Sequence, residues 1–548
     1  MAGGMTTQES APACRSRPPT PESPSWSRHA VYYGIDIARF FDADDDGFGD
    51  LPGLTAKLDY LQHLGVTCLW LLPFFPSARR DNGYDVTNYL GIDPRFGDLD
   101  DFRRLAEQAH LRGIRLIIDL VVHHTSAKHP WFQAAESDPK SRYVDYYIWS
   151  REKPHDAASD NVFPEEEQGI WAYSDRAGAY FRHKFYSFQP DLRLANEEVW
   201  NEVKRILDFW ISLGTDGFRI DAATHLFADT GLPDADAPFG RRLDDLRSYL
   251  HERDPHVALL GEADVQAHEI RPYFEHGRFN LLYNFLSNNS IYLALVRESA
   301  VPLTGTITGL RDVVLEGRML NFIRNVDELD LEQLSPEERD EVFAALAPGA
   351  NMRIYGRGVR RGWAPMMRNS AQLRMTMSLL FALPGVPLLM YGQEIGMGDD
   401  LSRGGRDSVR LTMQWSDGPG GEFSGRTSGG VTDAAQADGP YGYRRINVRA
   451  QQDDPDSPLN LVRRLIALRA EHPEIGESDW QIRNSGNEAL LILEYGKVTV
   501  IHNFSRHPQP LPEPAFSRIL LGADLGAGAG AGAGTGQVPG YGFSWLLR

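Results

Sequence analysis

Eight short apolar runs recur between Val31 and Gly392, each divided from the next by a longer amphipathic or polar stretch. This alternation limits the fold more than any other feature. The runs are VYYGIDI (Val31–Ile37), CLWLLP (Cys68–Pro73), IRLIIDLVV (Ile114–Val122), GFRIDA (Gly217–Ala222), VALLGEA (Val257–Ala263), the weaker FNLLYNF (Phe279–Phe285), LNFIRNVD (Leu320–Asp327) and PLLMYG (Pro387–Gly392). Strands that are apolar throughout belong in a parallel sheet covered by helices on both faces. The stretch GLTAKLDYLQHLG spaces Leu54, Leu58, Leu61 and Leu64 three and four residues apart, as a helix with one buried face requires. Eight strands in this pattern predict an α/β fold of the (β/α)8 barrel kind. An open, doubly wound sheet is the alternative that fits the same alternation.

The third run is not followed at once by a helix. Roughly seventy aromatic-rich residues, 123–191, intervene, too many for a plain loop, and predict a small inserted domain. A polar, Gly-rich stretch from Ser416 to Ser457 follows the eighth run and could line a site. The barrel is expected over 28–475, with the pattern turning to strands of a C-terminal β domain over 476–548. Within that domain LGAGAGAGAGTG is a low-complexity loop. Residues 1–27, rich in Pro, Ser and Thr, read as a disordered tail without the apolar core of a signal peptide.

Composition narrows the partners. A net charge of −19 argues against nucleic acid and anionic membranes, and leaves a neutral small molecule open. No run is long and apolar enough to span a bilayer. The cysteines, Cys14 and Cys68, do not suggest a disulfide framework, and a cytoplasmic location is the expectation. The oligomeric state is left open.

In such barrels the C-terminal ends of the strands build the active site. Those ends carry Asp119, His123 and His124 on the third strand, Arg219 and Asp221 on the fourth, Glu262 on the fifth, and Arg324 and Asp327 on the seventh. Three acids converging on one rim are costly to bury unless function maintains them. Separately, DADDDGFGD (Asp42–Asp50) sets carboxylates at alternate positions with glycines between, as the start of an EF-hand loop does. Asp42, Asp44, Asp46 and Asp50, with the Phe48 carbonyl, predict a structural Ca2+ site away from the chemistry.

The motifs DLVVHH, DGFRIDA, GEAD and RNVDE, in this order, resemble the conserved regions of the α-amylase family of glycoside hydrolases. DNGYDV (Asp81–Val86), FYSFQPDL (Phe185–Leu192) and VRLTMQW (Val409–Trp415) resemble the branch that holds oligo-1,6-glucosidase and trehalose synthase. HPWFQAAESDP, MRIYGRGVRR and YGQEIGMGDDLS are most similar to the trehalose synthases and their relatives. The resemblance implies a retaining enzyme acting on a small α-glucoside such as maltose or trehalose, without an organic cofactor. Asp221 is then the nucleophile, Glu262 the acid and base, and Asp327 the transition-state stabiliser. Arg219 keeps Asp221 ionised, Tyr84 stacks under the sugar, and Asp81, His124, Gln189 and Arg410 hydrogen-bond it. It also implies calcium at the 42–50 loop.

Three positions depart from the pattern. Val326 stands where the family has a histidine that donates to the sugar, His123 where it has asparagine, and Arg193 where the branch has asparagine after QPDL. A lost charge-assisted hydrogen bond is worth roughly 1.5–3 kcal/mol, or about ten to a few hundredfold in rate. Interconversion of maltose and trehalose is the leading expectation, with a hydrolase of α-glucosides or a non-catalytic sugar-binding relative as the alternatives.

Overall fold

Burial on both faces turns the apolar runs into strands. In the computed structural model, which describes residues 25–154, 161–228, 238–311, 318–425, 436–477, 479–511, 516–523 and 536–548, eight parallel strands close into a barrel. They are Tyr32–Ile35, Cys68–Leu71, Arg115–Leu120, Gly217–Ile220, Ala258–Gly261, Leu281–Tyr283, Arg318–Asn321 and Val386–Met390. Tyr32 pairs with Cys68 on one side and with Leu388 on the other, so the first and eighth strands seal the cylinder and the open sheet is excluded. Gly217 allows a close approach in this ring, since a Cβ there would lie 2.6 Å from the Ala258 carbonyl of the fifth strand.

The helices follow from spacing and caps. Over Glu197–Ser212 the buried residues are Val199, Trp200, Val203, Ile206, Leu207 and Trp210, one stripe at three- and four-residue steps. Asn196 caps the first turn, where Glu197 and Glu198 face the positive end of the helix dipole. This helix delivers the chain to the fourth strand.

The insertion after the third strand holds a helix, Pro130–Ser137, and a three-stranded antiparallel sheet with Ala179–Arg182 between Trp149–Ser150 and Trp171–Ser174. Bridges between His124 and Asp191 and between Tyr147 and Leu192 close its base over the barrel mouth. A second small sheet, Leu329–Asp330, Arg353–Ile354 and Gly358–Val359, follows the seventh strand. The C-terminal region is a five-stranded antiparallel sheet. It docks on the helix Ser370–Ala382, where Trp545 Nε1 donates to Ser378 Oγ at 2.8 Å and the Tyr495 hydroxyl to the Ala382 carbonyl at 2.6 Å.

Two expectations change. Residues 25–27 do not belong to the expected tail: Ser25–His29 is a helix with Ser27 buried, anchored by Trp26 Nε1 donating to the His256 carbonyl at 2.9 Å. Residues 1–24, with Cys14, and nearly all of the LGAGAGAGAGTG loop lie outside the described residues. The seventh strand stops at Asn321, not at Asp327. Past that point side chains replace the ladder: Asn288 Nδ2 donates to the Phe322 and Ile323 carbonyls at 3.0 and 2.8 Å, and the Tyr292 hydroxyl to Ile323 at 2.9 Å. The segment Arg324–Glu328 is therefore an irregular loop. Among the described residues no helix is long and apolar enough to cross a membrane.

Candidate active site

At the C-terminal mouth of the barrel lies a cavity open to solvent. Its lining includes Asp81, Tyr84, His124, Arg219, Asp221, Glu262 and Asp327, drawn from several strand ends. The centre is one guanidinium. Arg219, almost fully buried on the fourth strand, donates through Nη1 to Asp221 Oδ1 at 2.5 Å and to Asp119 Oδ1 at 2.8 Å. Its Nη2 lies 2.6 Å from Glu262 Oε2. Arg219 and Asp221 are two residues apart and share one face of the strand. Ala222 then turns with φ +47, and its N–H donates to Glu262 Oε2 at 3.3 Å.

Electrostatics divides the acids. Burial pushes the Asp221 and Glu262 carboxyls up, with Arg219 opposing; the charges of Asp221 and Asp327 raise Glu262 further. Burial pushes Asp119 up to about 7 against Arg219, and its Oδ2 has no partner among the described residues. Asp327 goes the other way. Burial works to raise it, but Arg406 and Arg410, with Arg219 and Arg324 beyond, outweigh that and hold it at about 2. Arg410 Nη2 donates to Asp327 Oδ1 at 2.7 Å, and Arg406 Nη1 lies 3.3 Å from the same oxygen.

The residues expected to touch a sugar divide as well. Asp81, Tyr84 and His124 line the cavity. Gln189 and Arg410 stand behind it, each holding a carboxylate that does: Gln189 Nε2 donates to Asp81 Oδ2 at 2.8 Å, as Arg410 does to Asp327. The Tyr84 ring is buried, and its hydroxyl has no partner among the described residues. Burial holds the His124 pKa at about 4, so the ring is neutral. Its Nε2 faces the Tyr84 carbonyl at 3.1 Å and must carry the proton, which leaves Nδ1 to accept. His123 Nδ1 faces that atom at 3.4 Å, and Asp191 Oδ1 at 3.5 Å. Both ring nitrogens of His124 thus have protein partners, one of them the residue that replaces the usual asparagine. Arg193 is exposed, its N–H bonded to the Tyr146 carbonyl at 2.7 Å.

The polar run after the seventh strand resolves residue by residue. Arg324 is scaffolding: it donates to the Arg361 carbonyl at 2.9 Å and to the Asn325 carbonyl at 2.8 Å. Asn325, Asp327 and Glu328 line the acidic cavity. Val326 does not; its carbonyl accepts from Arg410 Nε at 3.0 Å, and the residue borders a smaller cavity behind, beside Met390, Gln393 and Met397. None of the described residues of 416–457 reaches the acidic cavity. Sequence reasoning missed Arg406, whose only signal was a second arginine four residues before Arg410. It also missed the wall made by Phe163, Asp264, Asp330 and Arg357.

The acidic loop is built differently. One oxygen each from Asp42, Asp44 and Asp50 lies within 4.8 Å of the others. Asp42 accepts from the Asp45 and Gly47 N–H groups, both at 2.8 Å, and Asp50 from Gly53 at 2.5 Å and Ala43 at 2.9 Å. Asp46 stands outside the trio and accepts from the Phe48 N–H at 2.8 Å. The converging hard oxygens fit a divalent cation such as calcium.

A family model described as the alpha amylase catalytic domain matches residues 35–300 and 354–478. The chain is similar to the trehalose synthase/amylase TreS of Mycobacterium tuberculosis, 37% identical over 527 residues, which cover 93% of this chain and 87% of that protein. It is similar to the trehalose synthase of Pimelobacter sp., 37% identical over 513 residues, 89% of each. Among solved structures it is similar to an alpha-amylase from H. orenii, at 28% identity and a TM-score of 0.75, over 95% of this chain and 99% of that one.

Proposed function

The chain belongs to the α-amylase family, and from that premise we propose that this enzyme, which acts on α-glucosides, interconverts maltose and trehalose through a covalent glucosyl–aspartate. The observation that carries the reading is the single Arg219 fork bridging Asp221 and Glu262. A short bridge suits the separation of about 5–5.5 Å that retaining enzymes keep between their two carboxyls.

In the first step Asp221 attacks C1 of the non-reducing glucose. The bond from C1 to the leaving glucose breaks, and Glu262, whose raised pKa favours the acid form, gives that oxygen its proton. Asp327, kept ionised by Arg406 and Arg410, faces the positive charge that develops on the ring. In the second step an O–H oxygen attacks C1, the ester to Asp221 breaks, and the proton returns to Glu262. If the attacking group is the anomeric hydroxyl of the released glucose, trehalose forms and nothing is gained or lost. If it is water, two glucose molecules leave. Tyr84 stacks on the ring, Asp81 binds its hydroxyls, and Gln189 orients Asp81. His124 supports the pocket as a ring contact, since its nitrogens are engaged.

Calcium belongs to this reading as a structural ion held by Asp42, Asp44 and Asp50, with Asp46 and the Phe48 carbonyl as the further donors expected. It takes no part in the chemistry.

The test is incubation of the purified protein with maltose, and separately with trehalose, followed by NMR. Each sugar should yield the other. Glucose alone would make the enzyme a hydrolase, and no turnover of either would sink the reading.

A further inference from the structure

The turn Tyr391–Gly396 closes the eighth strand, and none of its residues lines the acidic cavity. It nevertheless touches both segments that meet at Asp327. Gln393 Nε2 donates to the Arg324 carbonyl at 2.6 Å, at the start of the loop Arg324–Glu328. Gln393 Oε1 accepts from the Met390 N–H at 3.1 Å, so the partners fix which end of the amide donates. The Tyr391 hydroxyl donates to the Leu411 carbonyl at 2.9 Å, one residue past Arg410. Arg410 in turn donates to the Val326 carbonyl at 3.0 Å and to Asp327 at 2.7 Å. One turn thus grips the loop that carries the carboxylate and the segment that carries its cation.

The turn itself is rooted in the barrel. Gly392 has φ +80, and a Cβ there would run into Met397. Glu394, fully buried, accepts from the Tyr33 hydroxyl of the first strand at 2.8 Å and from the Tyr60 hydroxyl of the helix Leu58–Leu64 at 2.6 Å. The Tyr391 N–H donates to the Gly34 carbonyl at 3.0 Å, and Gln451 Nε2 to the Ile395 carbonyl at 2.8 Å. The loop it holds has less behind it. Val326 borders the rear cavity together with Met390, Gln393 and Met397, so the back of that loop is not packed solid. Close packing fixes a segment where it is continuous; where it is broken, buried hydrogen bonds take over the task.

We propose that Gln393 and Tyr391 are positioning residues that clamp Asp327 and Arg410 against each other and so set how well this pair meets the transition state. The proposal rests on the reading of Asp327 as the stabilising carboxylate. Neither Gln393 nor Tyr391 lines the acidic cavity, so both act through the pair. A preorganised carboxylate stabilises developing charge without moving, and a misplacement of about 1 Å costs up to roughly a hundredfold in rate.

The experiment is a double-mutant cycle on maltose consumption with all products counted, so that transfer and hydrolysis weigh equally. Gln393→Met keeps the length of the side chain and removes both of its hydrogen bonds. It should lower kcat about tenfold and leave KM within about twofold, because the pair acts in the transition state. Tyr391→Phe should lower kcat about threefold. In an Arg410→Met background, where the pair is already broken, Gln393→Met should cost less than about threefold. A residue that only supports the fold would cost the same in both backgrounds. Equal costs in the two backgrounds, or a rise in KM in place of the fall in kcat, would overturn the clamp and leave Asp327 in its role. If Gln393→Met does not fold, Tyr391→Phe completes the cycle with Arg410→Met. Parent-like turnover in Arg410→Met alone would overturn the reading of the Asp327–Arg410 pair, and the clamp with it.

Discussion

The protein gathers carboxylates twice, and the two clusters are balanced in opposite ways. Around Arg219 the acids sit among fixed cations: one guanidinium joins Asp221 and Glu262, and two more hold Asp327. In the 42–50 loop Asp42 and Asp50 are turned inward by backbone N–H groups, and among the described residues no lysine or arginine reaches Asp42, Asp44 or Asp50. Built-in cations pull the acids of the first cluster to different pKa values, which acid–base chemistry needs. A cluster held only by amide dipoles keeps its net charge, which a mobile divalent cation can neutralise. In the proposed reading the same residue type serves as reactant in one place and as ligand in the other.

Changes at the first cluster should act on rate. Asp221→Asn should lower maltose turnover roughly 10^4-fold, as loss of a nucleophile does, with the fold unchanged by circular dichroism. Retained turnover would erase the distinction between the clusters. Arg410→Met should cost about ten- to a hundredfold in kcat. Its sign is the sharper test. Asp327 must stay ionised and is held at about 2 by its arginines, so losing one raises that pKa. The acid limb of the pH–rate profile should then move to higher pH, and a fixed limb would show that Arg410 does not govern Asp327.

Changes at the second cluster should act on stability. A chelator, or Asp44→Asn, should lower the melting temperature by a few degrees and leave turnover at 25 °C within about twofold; added calcium should restore the first case and not the second. A melting temperature indifferent to both chelator and calcium would remove the cation from the account. The smallest effect is expected at Val326→His. Val326 borders the rear cavity rather than the acidic one, so the rate should change by less than about tenfold. A larger gain would mean that the histidine reaches the sugar.

Much of the architecture was legible because the signals were local. Each apolar run proved to hold a barrel strand, since burial on both faces leaves one solution for CLWL or RLII. Asp221 and Glu262 were placed by two-residue spacing and strand order. What stayed hidden depends on distant partners. The early end of the seventh strand is set by Asn288 and Tyr292, more than thirty positions away. The engagement of both His124 nitrogens depends on the Tyr84 carbonyl and on which atom of His123 faces it. Arg406 and Arg357 reach the site from loops whose course no periodicity predicts.

The central claim is that Asp221, bridged to Glu262 by Arg219, carries the glucosyl group. The most direct measurement is trapping with 5-fluoro-α-glucosyl fluoride, which forms the ester faster than it is released, followed by mass spectrometry of the digested protein. One fluoroglucosyl adduct on the peptide containing Asp221, lost in Asp221→Asn, is the predicted result. An adduct on another carboxylate, or fluoride release with no adduct, would contradict it.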